Sequence, residues 1–135
     1  MVKGQELDKL GDLTYHVREK RFFTVLQNSK IGPAGIHNVY SFQLPQKLGT
    51  ISPEFMAAKE LEKKGFVAKL QLETELTPLG FDFEKVEGLS FDTQGNLIVI
   101  NDNDFGLETS QTGQLQISNT KKSFIGILQK LTSAH

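Results

Sequence analysis

Through most of the chain, apolar and polar residues alternate with the period of a strand. Arg21-Phe22-Phe23-Thr24-Val25-Leu26 is β-branched and aromatic, and predicts a buried strand. Val39-Tyr40-Ser41-Phe42-Gln43-Leu44 alternates with period two and stops at Pro45, which cannot continue a sheet ladder. Residues 67–72 and 114–117 alternate in the same way. Asn96-Leu97-Ile98-Val99-Ile100-Asn101 is a continuous apolar run between polar residues, which predicts a central strand covered on both faces. Leu89-Ser90-Phe91 precedes it, and Thr93-Gln94-Gly95-Asn96 between them reads as a hairpin turn with Gly95 at positive φ.

One segment departs from this pattern. Residues 52–65 carry helix signals in order: Ser52 to cap, Pro53 at the first position, Glu54 at the positive end, Lys63 and Lys64 at the negative end, and Gly65 as the stop. The C-terminal stretch 123–131 fits either a strand or a helical face through Phe124, Leu128 and Leu131.

An internal repeat favours the strand. Gly11-Asp12-Leu13-Thr14-Tyr15, a turn, and Phe22-Phe23-Thr24-Val25-Leu26-Gln27-Asn28 resemble Glu87-Gly88-Leu89-Ser90-Phe91, a turn, and Leu97-Ile98-Val99-Ile100-Asn101-Asp102. Leu13 corresponds to Leu89 and Asn28 to Asp102, so the spacing shrinks from 76 to 74 residues through a shorter turn. Repeated antiparallel units predict an all-β, mainly antiparallel fold of two propeller-like blades. The first unit covers about 11–73 with the helix 52–65 inserted, and the second about 85–131, within one domain of 1–135. The insertion accounts for a period above the roughly 40–50 residues of an ordinary blade. A propeller closes with about 4–8 blades, so two form an incomplete one. The chain is therefore expected to lack upstream blades or to self-associate. The alternative is a small sandwich of two stacked sheets.

Composition narrows the classes. The 135 residues carry a net charge of −1, with 38% hydrophobic residues and no Cys. This suits one globular domain and gives no electrostatic footprint for nucleic acid or anionic lipid. It also excludes disulfides and thiolate metal sites. No apolar run approaches the roughly 20 residues of a membrane span. The first ten residues lack the apolar core of a signal peptide, and the compartment is left open.

The chemistry concentrates near the end of the apolar run. Between Asp82 and Asp104 there are six acidic residues and one basic, Lys85, a local charge of −5. Asn101-Asp102-Asn103-Asp104 gathers four oxygen-bearing side chains at a strand end, and a hard cation such as Ca²⁺ takes 6–8 oxygen ligands. The spacing is not that of an EF-hand, because Leu107 and Gly113 stand where Gly and Glu are required. The competing reading is an Asx-turn closing the sheet.

Glu87-Gly88-Leu89-Ser90-Phe91, the turn with Gly95, Leu97-Ile98-Val99-Ile100 and Asn101-Asp102-Asn103-Asp104-Phe105-Gly106 together resemble the closing part of the phytase-like domain family. Its members are described as having esterase-like activity of phytase. Tyr15, residues 21–28 and Gly35-Ile36-His37-Asn38-Val39-Tyr40 resemble the preceding blade. The similarity covers most of the chain, but only the C-terminal third of a full family domain. It implies a β-propeller with an acidic channel, Glu87 near that channel, and Asn101, Asp102, Asn103 and Asp104 close by as ligands of a divalent cation, Ca²⁺ foremost. It implies metal-assisted hydrolysis of an ester or phosphoester substrate, and it allows a secreted or periplasmic parent. The first repeat has Gly11 where the second has Glu87, so a complete site is not expected here and the isolated chain is expected to be inactive. The rival function is a non-catalytic binding module.

Other candidates carry less. The three histidines, His16, His37 and His135, form no triad pattern, and no Gly-x-Ser-x-Gly elbow exists. His37 is expected to be a polar loop residue. Residues 30–35 lack the Gly-Lys-Ser/Thr ending of a phosphate loop. Arg18, Lys20 and Arg21 read as a solvated turn, and Lys121, Lys122 and Lys130 as a solvated basic edge. Phe22, Phe23, Phe42, Phe91 and Phe105 are expected in the core.

Overall fold

A computed structural model describes residues 9–28, 30–44, 58–65, 67–83, 85–118 and 121–129. Strands β1 (Lys9–His16), β2 (Arg21–Gln27), β3 (His37–Phe42) and β4 (Gln71–Glu75) form an antiparallel sheet in chain order. Strands β5 (Val86–Phe91) and β6 (Leu97–Asn101) pair with β9 (Ile125–Leu128) in a second sheet, order β5-β6-β9. Strands β7 (Leu107–Thr109) and β8 (Leu115–Ile117) make a separate ribbon between β6 and β9. The protein is all-β and mainly antiparallel, with one small helix, α1 (Ala58–Lys63), among the described residues.

Each sheet turns one alternating face inward. From the first come Phe23, Val25 and Val39; from the second, Leu89, Leu97 and Val99. With Leu76 and Val86 they make one buried cluster, against which Phe81, Phe91 and Leu128 pack. The outward faces are also apolar. The first sheet exposes Leu10, Leu13, Tyr15 and Leu72, and the second exposes Ile100, Ile125 and Ile127. The central strand β6 is therefore covered on one face, where the continuous apolar run had predicted two.

Polar side chains fasten the sheets together. The Gln27 amide donates to the Val86 carbonyl at 3.1 Å and accepts the Val86 N–H at 2.8 Å. Asp12 accepts the Leu89 N–H at 2.7 Å. These contacts satisfy main-chain groups of β5 that no neighbouring strand reaches. Gly11 allows the approach, because a Cβ there would overlap the Val86 carbonyl oxygen.

Several local expectations shift. The alternation at 67–72 places its strand four residues late, at Gln71–Glu75. His37 lies in β3 and is fully buried, its Nδ1 3.1 Å from Thr77 Oγ1. Gly65 stops α1 at φ +75 as predicted, while Ser52, Pro53 and Glu54 lie outside the described residues. The stretch 123–131 contains a strand. Phe23 is buried, Phe22, Phe42 and Phe91 are half-buried, and the Phe105 side chain lies outside the described residues.

Candidate functional site

The acidic turn begins where β6 ends. Asn101 is buried, and its side chain is committed to structure. Its Oδ1 accepts the Phe124 N–H at 2.6 Å, and its Nδ2 donates to the carbonyls of Lys122 at 3.0 Å and Asp102 at 3.2 Å. Asp102 Oδ1 accepts the Asp104 N–H at 2.8 Å, the bond of an Asx-turn. Asp104 takes φ +49, a left-handed conformation that Asp tolerates better than most residues. Asn103 donates to Ser123 Oγ at 2.9 Å.

Two lysines hold the turn. Lys85 Nζ lies 2.9 Å from Asp104 Oδ1 and 3.5 Å from Asp102 Oδ2. Lys121 Nζ lies 2.6 Å from Asp104 Oδ2. Hydrogen bonds from Lys121 and then Lys85 hold the Asp104 carboxyl down at about 2. Asp104 in return raises the Lys85 ammonium above its ordinary value. The turn borders a cavity of about 390 Å³ whose apolar wall includes Ile31 and the stacked rings of Phe83 and Phe124, 4.3 Å apart.

Of the residues singled out in the sequence, Asn101, Asp102, Asn103 and Asp104 are brought together on this turn. Glu87 stands exposed at a bulge in β5, at the same end of the second sheet, since Val86 faces Asn101 across the ladder. Both Asp104 oxygens are engaged by ammonium groups, and among the described residues no group of three or more His, Asp or Glu side chains that could hold a metal ion is found. In this arrangement the donors fit an ion-paired turn and do not fit a divalent cation.

The sequence reading missed Lys85 and Lys121 as partners of the turn. The signal available was charge: one lysine inside a strongly acidic run, and a basic stretch at 121–122. Asp12, beside Gly11 in the first repeat, is engaged by the Leu89 amide. Compared with protein-family models, curated proteins and solved structures, the chain matches none.

Proposed function

We propose that this chain is a section of a phytase-like β-propeller whose two sheets are neighbouring blades. Hydrolysis of an ester or phosphoester then belongs to the completed ring. The observation that carries this reading is the packing of β1 along β5, the first strands of the two repeat units, through Gly11 and Asp12, with Gln27 of β2 bonded to Val86 beside them. The apolar outward faces support it, because a further blade on each side would cover them.

The test compares two proteins with p-nitrophenyl phosphate and p-nitrophenyl acetate: this chain, and the same chain extended by whatever is encoded upstream of Met1. No turnover by the chain alone and turnover by the extended protein are expected. An extended protein inert toward both substrates overturns the hydrolytic reading. A second reading, a non-catalytic interaction module, is favoured by the lysine clamp on Asp104, which leaves that carboxylate neutralised. It predicts no turnover from either protein.

A further inference from the structure

The two sheets share one pairing plan. The ladder of β1 with β2 shifts register after Leu10, and the ladder of β5 with β6 shifts after Val86, 76 residues further on. Beyond the shift, Leu13 stands opposite Thr24 and Leu89 opposite Val99. Tyr15 then stands opposite Phe22, and Phe91 opposite Leu97. Strand β3 lies beside β2 as β9 lies beside β6, with Val25 opposite Val39 and Ile100 opposite Ile125.

This correspondence decides which faces meet. Side chains alternate across a strand, so equivalent positions lie on equivalent faces. Inside the chain, the face of the first sheet that carries Val25 and Val39 packs on the face of the second that carries Leu89 and Leu97. The counterparts of Val25 and Val39 in the second sheet are Ile100 and Ile125, and both are exposed. The counterparts of Leu89 and Phe91 in the first sheet are Leu13 and Tyr15, and both are exposed. Sheets stacked through equivalent faces would use up one kind of face. Stacked as they are, they leave one open face of each kind, and the two kinds are those that already fit together.

We propose that a second copy of this chain covers them. The outward face of its first sheet seats on the outward face of this chain's second sheet, so the interface within a chain is repeated between chains. Repeated head to tail, the contact closes into a ring of two to four copies, which supplies the roughly 4–8 blades of a propeller. The inference rests on reading the two sheets as neighbouring blades, and not on hydrolysis. Two features of the internal contact are not repeated. Glu87 stands at the position of Gly11, which holds the first strands further apart, and Gly88 stands at the position of Asp12, whose carboxylate accepts the Leu89 N–H. The contact between copies is therefore weaker and reversible, with Kd on the order of 100 µM.

Sedimentation equilibrium of two variants, each alone and then mixed in equal amounts, is the test. Leu13→Lys spoils the outward face of the first sheet, and Ile127→Lys that of the second. Each variant alone should remain at 15.1 kDa. In the mixture, the intact second sheet of one variant meets the intact first sheet of the other, and a 1:1 dimer should return. The native chain should reach a limit of two to four copies. Should either variant fail to fold, Tyr15→Lys and Ile125→Lys spoil the same two faces. A native chain that associates while the mixture yields no dimer overturns the head-to-tail contact and leaves the blade reading standing. Growth of the native chain without limit overturns the ring. A native chain that stays single at every concentration overturns both the ring and the blade reading.

Discussion

The side-chain amide of Gln27 makes both main-chain hydrogen bonds of Val86, donating to its carbonyl and accepting its N–H. One glutamine thus does for β5 what a neighbouring strand would do, and so ties the second sheet to the first. Gln27 is 1% exposed. Replacing it by Leu leaves two buried main-chain groups without partners, each worth about 1–3 kcal/mol. Gln27→Leu should therefore lower the unfolding free energy by about 2–4 kcal/mol, read from urea denaturation. A loss below about 1 kcal/mol would show that water or a rearranged strand replaces the amide.

Gly11 tests the same interface by shape. The Val86 carbonyl oxygen occupies the space a Cβ would need, and it is main chain, so it cannot swing aside. Gly11→Ala should destabilise by about 1–3 kcal/mol, the usual range for overpacking. Gly113→Ala has open space around it and should cost only about 1 kcal/mol for its positive φ. Equal losses would mean that β1 and β5 do not meet at Gly11.

The lysine clamp makes stability depend on pH in a stated direction. The folded-state pKa of Asp104 is depressed to about 2 from an ordinary 3.8. Its contribution is present in full above the unfolded value and disappears as pH falls from about 4 to about 2. Lys85 has a raised pKa, so its contribution is present below 10.5 and is lost as pH climbs through the higher folded value. Asp104→Asn should flatten both limbs of a stability–pH curve measured by urea unfolding. An unchanged acid limb in the variant would contradict the clamp.

The same clamp bears on metal binding. Ligands that favour the folded state raise its melting temperature by mass action. With the Asp104 oxygens engaged by Lys85 and Lys121, Ca²⁺ at about 1 mM should leave the melting temperature of this chain unchanged. A rise reversed by chelator, and absent in Asp102→Ala, would show that the carboxylates turn from the lysines to the ion.

Much of this architecture was legible in the sequence for a physical reason: alternation is a local property. Residues 21–26 read as a strand because Phe23 and Val25 share a face, and Gly95 read as a turn because glycine takes a positive φ that few other residues do. The acidic turn at 101–104 was legible from composition alone. Its partners were not, since Lys85 and Lys121 are 36 residues apart in the chain and meet only after β9 pairs with β6. Gln27 and Asp12 stayed hidden for a related reason. A polar residue in a strand suggests a solvent-facing side chain, and only the crossing of β5 gives these two a buried main-chain partner. The strand over 67–72 was misplaced because Leu70-Gln71-Leu72 alternates like a strand, yet Val67 and Leu70 stand exposed ahead of β4.

The central claim is that these two sheets are a section of something larger, with apolar faces on both outer sides. Sedimentation equilibrium of the chain over a wide concentration range tests it most directly. The account predicts reversible association that weakens when Leu13 or Ile127, 50% and 65% exposed, is replaced by Lys. A single compact 15.1 kDa species at every concentration, unaffected by either substitution, would contradict it.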